Sequence, residues 1–261
     1  LDYALITITA LVVSGVTLFS GFGLGTVLMP AFAVFFPIPV AIGATAVVHL
    51  ANNLFKVGLV GREADWRVVM RFSVPAAIAA VLGASALVLF AGFPLLGTYE
   101  LLGRQHEVTA IRLVIGVLIV GFAVLELSPT FATFAVPPQY LVVGGLLSGF
   151  FGGLSGNQGA FRSAFLIKSG LSKEAFVATG VMSAVIVDTV RVTVYGVSYF
   201  TASLEALPPE ILGVVVAATA AAFTGAYLGA RLLEKVTHRV VRIIVAFTMI
   251  GIGFGLAAGL I

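Results

Sequence analysis

Hydrophobic residues fill this chain in ten long blocks, and polar residues are confined to the gaps and to a few isolated positions within the blocks. The blocks cover approximately residues 3–19, 22–37, 40–59, 68–97 and 108–128, then 137–152, 157–169, 172–199, 208–233 and 238–261. Their Leu, Val, Ala and Ile runs lack strand alternation, so the pattern predicts helices. A helix that crosses a bilayer takes about 20 residues, and most blocks approach that length. Those at 22–37 and 157–169 are shorter and rich in glycine. They predict broken or half-length helices, shielded from lipid by surrounding protein.

Composition agrees with this pattern and narrows it. The 261 residues are 60% hydrophobic and 10% charged, with a mean hydropathy of +1.17. A soluble domain carries about 25% charged residues, so too few are present here to cover a water-facing surface. The chain reads as an all-α integral membrane protein with about 8–10 transmembrane or half-membrane helices. Residues 3–19 have no basic flank before them and read as a first membrane segment rather than a signal peptide. Cysteine is absent, which removes disulfides, thiolate chemistry and iron–sulfur ligation. A net charge of +3 gives no pointer to nucleic acid, because basic residues in such a chain mark cytoplasmic loops.

The chain also repeats itself. Ser14-Gly15, Gly25, Ala41 and Ala44-Thr45 recur in the same register as Ser148-Gly149, Gly159, Ala175 and Ala178-Thr179. Arg112 and Gly121 keep the spacing of Arg242 and Gly251. Duplicated, glycine-interrupted apolar segments point to a transporter with a central substrate site. The uncharged linker Ser128–Pro138 separates a first repeat, 1–130, from a second, 131–261. Loop charges suggest that the repeats are inverted. Arg62 and Arg67, with Lys56 and Arg71 at the edges, follow the third block, whereas Val197–Pro209 holds no Lys or Arg. The next pair reverses this bias: Arg104 stands between Glu100 and Glu107, while the later loop holds Arg231, Lys235, Arg239 and Arg242. Under the positive-inside rule, equivalent loops then face opposite sides.

Several polar residues inside the blocks are candidates for touching a solute. Gly21, Gly23 and Gly25 alternate along the first break, and Gly152–Gly159 in the second contains Asn157 and Gln158. Such breaks leave N–H groups free at a helix start, where they attract anions. Glycine also serves close helix packing in membranes. Arg162 lies three residues past Gly159 in an apolar segment, and a guanidinium at that depth needs a partner or a wet cavity unless it snorkels to the interface. Asp188 and Arg191 are one helical turn apart and can pair on one face. His49, Asn52, Asn53 and Lys56 form one helical stripe. Glu126, near Pro129, and Trp66, among loop charges, read as interfacial. The substrate-binding set is therefore Asn157, Gln158, Arg162, His49, Asn52, Asn53, Gly23, Gly25 and Gly159. The gating or coupling set is Asp188, Arg191 and Lys56.

These stretches resemble the sulfite exporter TauE/SafE family, also called the toluene-sulfonate uptake permease family. The resemblance rests on Gly21-Phe-Gly-Leu-Gly25, Pro30 and Ala41-Ile-Gly-Ala-Thr45 in the first repeat. In the second it rests on Gly149–Ala164, Gly170-Leu-Ser-Lys-Glu-Ala175 and Ala178-Thr179. The chain departs from the family pattern at Leu24, at Asn157-Gln158 and at Ala164, where a proline is expected. The resemblance implies a multi-pass carrier of the bacterial or archaeal inner membrane that exports sulfite, a sulfonate or another sulfur-containing anion. It implies no enzyme activity, no cofactor and no metal. Its partners would be the anion and membrane lipid, with no nucleic acid and with room for a homo-oligomer. Two other readings remain. Glycine-broken half-helices also build channels. Gly153-Leu-Ser155-Gly156 and His49-x-x-x-Asn53 are short matches to an intramembrane serine protease of rhomboid type, whose base would have to be His106 or His238.

Overall fold

A computed structural model of the chain describes residues 2–16, 24–128, 130, 134–202, 209–232 and 238–261. Ten α-helices lie in these segments. The first five are α1 (Asp2–Val16), α2 (Leu24–Ala33), α3 (Ile38–Val60), α4 (Trp66–Ala91) and α5 (Ala110–Leu127). The others are α6 (Leu141–Ser155), α7 (Gly159–Leu166), α8 (Lys173–Ala202), α9 (Ile211–Leu232) and α10 (His238–Ala257). Each falls within or over one hydrophobic block. Five of them, beginning at Ile38, Trp66, Ala110, Lys173 and Ile211, are long and apolar enough to cross a membrane.

Local sequence sets the ends. Pro37 precedes α3 and Pro39 occupies its first turn, where the missing N–H costs nothing. Asp65 caps α4, its side chain accepting from Val68 N at 3.1 Å. Thr109 caps α5 by accepting from Arg112 N. The two short helices behave as their glycines predict. α2 has 10 residues and α7 has 8, which at 1.5 Å per residue reaches about half of a bilayer core. α6 stops at Gly156, whose φ of +82° is left-handed, and α7 starts after Asn157 and Gln158.

Glycine also lets helices close on one another. Gly145, Gly149 and Gly153 on α6 face the carbonyl oxygens of Phe72, Ala76 and Ala80 on α4, and Gly83 of α4 faces the Phe150 carbonyl. A Cβ at any of these would collide with backbone. Gly225 and Gly229 of α9 stand in the same relation to Leu11 and Gly15 of α1, and Gly116 of α5 meets Gly253 of α10. The main helix contacts are therefore α4 with α6 and α8, α9 with α1 and α3, α5 with α10, and α3 with α8. The largest apolar core draws on α1, α2, α3, α5, α9 and α10.

One element departs from an all-α fold. Residues 98–107, expected as a loop, belong to a hairpin of β1 (Leu95–Leu101) and β2 (Arg104–Thr109). The fourth block correspondingly ends as helix at Ala91, before 97. Leu102 and Gly103 turn the hairpin with φ of 53° and 75°, the double positive φ that matches strand twist in a two-residue turn. Tyr99 stacks on His106 across the strands. The Tyr99 hydroxyl donates to Ala258 O at 2.6 Å, and His106 Nδ1 lies 3.3 Å from Gly259 O. The hairpin is thereby fixed to the end of α10.

Candidate functional site

Polar side chains meet in the interior where α3 and α8 cross the break between α6 and α7. Every member of the α3 stripe, His49, Asn52, Asn53 and Lys56, is buried, as are Asn157, Gln158, Arg162, Asp188 and Arg191. Burying such groups in an apolar surrounding is costly unless each finds a partner.

Asp188 is the hub. Its Oδ2 accepts from His49 Nδ1 at 2.6 Å and from Asn53 Nδ2 at 2.9 Å. Its Oδ1 accepts from Gln158 Nε2 at 2.8 Å and from Arg191 Nε at 2.9 Å. The expected pairing of Asp188 with Arg191 is present, with both side chains fully buried. One carboxylate thus ties α3, α8 and the segment between α6 and α7. Gln158 is itself held, because Ser148 Oγ donates to its carbonyl at 2.8 Å.

Around this hub lie groups that are incompletely engaged. Arg191 Nη1 has no hydrogen-bond partner among the described residues, and a Cβ on Gly156 would stand 2.9 Å from it. Gln158 gives one N–H to Asp188, and Asn157 gives one to Ser155 Oγ at 3.0 Å. Each amide nitrogen keeps a second N–H. Arg162 lies across from α8, with its Nε 3.6 Å from where a Cβ on Gly180 would be. It interacts electrostatically with Asp188, His49 and Lys56. The first turn of α2 reaches the same place, since a Cβ on Gly25 would lie 3.3 Å from Gly156 O and 3.5 Å from the His49 ring.

Lys56 was expected at a loop edge, but it lies within α3 and is 5% exposed. The partners of Asn52 orient its amide. It accepts from Lys56 Nζ at 3.2 Å and donates to Ala222 O at 3.2 Å, with Ser14 Oγ also in reach. Glu126 also differs from its interfacial reading, being buried at 7% exposure near the end of α5. Trp66 is exposed, as an interface residue would be. Gly159 and Gly25 are buried beside the cluster, whereas Gly23 lies outside the described residues. So do the side chains of Arg231, Lys235, Arg239, Arg242 and His238, and with them the loop comparison on which inversion rests. Sequence reasoning did not name Ser14, Ser148 or Tyr195 for the site. Tyr195 is buried on α8, and its hydroxyl donates to Gly153 O. The repeat register had already aligned the two serines.

Among the described residues, Arg162, Arg191 and Lys56 bring three basic side chains to the cluster around the Asp188 carboxylate. Ser155 has no histidine beside it among its hydrogen bonds. Its hydroxyl donates to Phe151 O and accepts from Asn157, so the described residues give it no base.

These features define a multi-pass helical membrane protein with a buried polar centre where α3 and α8 meet the turn between α6 and α7. The family described as Sulfite exporter TauE/SafE matches residues 6–256. The chain belongs to that family, which is one of membrane transporters. No curated protein and no solved structure matches it.

Proposed function

We propose that the chain is a secondary carrier of sulfite and small sulfonates, exporting them across a bacterial or archaeal inner membrane. The observation that carries this reading is the gathering of three basic side chains, Arg162, Arg191 and Lys56, in a buried cluster beside the turn at Gly156. A sulfite or sulfonate group is compact, negative and strongly hydrated. Moving it through hydrocarbon requires fixed donors in place of water. Arg162, the second N–H groups of Asn157 and Gln158, and the first-turn N–H groups from Gly159 onward offer such donors. His49, Asn52 and Asn53, with the backbone at Gly25, complete the wall. Asp188, Arg191 and Lys56 hold the site together and couple it to motion.

Residues 1–130 and 131–261 form two inverted repeats in this proposal. The helix contacts support the duplication. If α1 to α5 correspond to α6 to α10, then the α4–α6 contact exchanges with α9–α1, and α4–α8 with α9–α3. The pairs α3–α8 and α5–α10 map onto themselves.

Thermal unfolding of the purified protein with sulfite, methanesulfonate, sulfate, thiosulfate, taurine and sulfoacetate tests the reading. A ligand at 100 times its Kd stabilises the native state by about 2.7 kcal/mol. Sulfite and methanesulfonate should raise the midpoint. No shift with any of the six would overturn the proposal. Saturable uptake with counterflow in proteoliposomes would mark a carrier, and a non-saturating conductance would mark a channel.

A further inference from the structure

Hydrogen bonding fixes which nitrogen of His49 holds a permanent proton. Nδ1 stands 2.6 Å from Asp188 Oδ2, and the other neighbours of that carboxylate, Asn53, Gln158 and Arg191, are donors. The carboxylate therefore accepts throughout, and His49 Nδ1 donates. Asn53 Nδ2 is 3.1 Å from the same Nδ1, but both are donors and both protons go to Asp188.

Nε2 is left with an open lone pair and no hydrogen bond among the described residues. It lies beside the contact between the first turn of α2 and the turn at Gly156. A Cβ on Gly25 would stand 3.7 Å from Nε2, and that same point is 3.3 Å from Gly156 O. The imidazole keeps 10% of its surface exposed while Asp188 keeps none.

We infer that His49 Nε2 binds a proton together with the anion, so that the two cross together in either direction and export proceeds while the outward anion gradient exceeds the inward proton gradient. This rests on the anion-carrier reading above. The step is an acid–base exchange alone: a hydrated proton adds to the Nε2 lone pair on the side where the site is open, and returns to water on the other. Without the proton, Nε2 presents electron density to an oxyanion. With it, Nε2–H becomes a charged donor, the strongest kind for an oxyanion.

The groups facing His49 make the dependence mutual. Asp188 and Arg191 come from α8, Arg162 from α7, and Lys56 lies on α3 itself. A further positive charge on His49, close to the guanidinium groups of Arg191 and Arg162, is unfavourable until an anion enters. Each ligand thus raises the other's affinity by the same factor.

The test uses proteoliposomes and labelled methanesulfonate, which stays ionised between pH 6 and 8. Wild-type protein should exchange it at symmetric pH and, with an acidic exterior, accumulate it. For one proton per anion, a gradient of one pH unit sets a limit of about tenfold. His49→Asn retains an N–H toward Asp188 but has no second nitrogen. It should exchange more slowly, and its residual uptake should ignore the gradient. Wild-type exchange that is indifferent to the gradient overturns the inference and leaves the carrier reading standing, whether or not the variant folds. Gradient-driven accumulation by His49→Asn at the wild-type level also overturns it. Absence of wild-type exchange overturns the carrier reading and this inference together.

Discussion

Gly25 and Gly156 stand so close that a Cβ on the first would lie 3.3 Å from the carbonyl oxygen of the second. The first turn of α2 and the turn that ends α6, far apart in the chain, therefore share one point, and Arg191 borders it. Gly156 is constrained twice, by its φ of +82° and by Arg191 Nη1, which would stand 2.9 Å from an added Cβ. A left-handed residue with a side chain costs about 1–2 kcal/mol. Gly156→Ala should lower the unfolding midpoint in detergent by that backbone cost and, by shifting the Arg191 guanidinium, weaken anion binding further. An unchanged midpoint and unchanged binding would remove the constraint.

The glycine contact between α4 and α6 should tolerate no methyl group. Gly149→Ala places Cβ against the backbone of Ala76, and overpacking of this kind costs about 1–3 kcal/mol. Gly121→Ala meets nothing within 4 Å and should leave stability unchanged or raise it through helix propensity. Thermal unfolding of the two variants side by side measures the difference.

Arg162→Ala should leave a folded protein that no longer responds to sulfite or methanesulfonate. Loss of a charge-assisted contact weakens binding by at least about tenfold, since each 1.4 kcal/mol is a factor of ten. Wild-type stabilisation by these anions in the variant would take Arg162 out of the site.

Asp188→Asn should be more damaging than any change among its donors. It leaves the Arg191 guanidinium buried without its counter-charge, and breaking a buried pair in this way costs about 3–5 kcal/mol. His49 and Asn53 lose an ionised acceptor at the same stroke. The yield of folded protein in size-exclusion chromatography should fall, and so should the unfolding midpoint.

Tyr99→Phe deletes the hydroxyl that reaches Ala258 O. The expected cost is about 1 kcal/mol, with anion binding unaffected because the hairpin is remote from the polar cluster in the fold. Amide hydrogen exchange across 95–109 should quicken.

Much of this arrangement was legible in the chain because lipid restricts the choices. Among the described residues each of the ten apolar blocks carries a helix, and the two glycine-rich short blocks carry the short helices α2 and α7. The Asp188–Arg191 pair followed from helical spacing alone. The hairpin was missed because its charged strand, Arg104–Thr109, looks like any connecting loop, and Leu102 does not advertise a positive φ as asparagine would. Lys56 and Glu126 were placed near water because they sit beside loops in sequence. Their depth is set by neighbouring helices, as with the amide of Asn52 that meets Lys56, and no linear pattern encodes that. The role of Ser148 in holding Gln158 depends on the turn at Gly156 and was equally invisible.

The crossed partnership of the helices bears on how such a machine can shift. α4 is clasped to α6 and α1 to α9, each pair drawing one stave from either end of the polypeptide. Within a pair, backbone rides on backbone, and there is no cushion of side chains to shear. The bodies expected to move as units are then these interlocked couples rather than the front and back of the sequence, with α3 and α8, joined through the Asp188 carboxylate, between them.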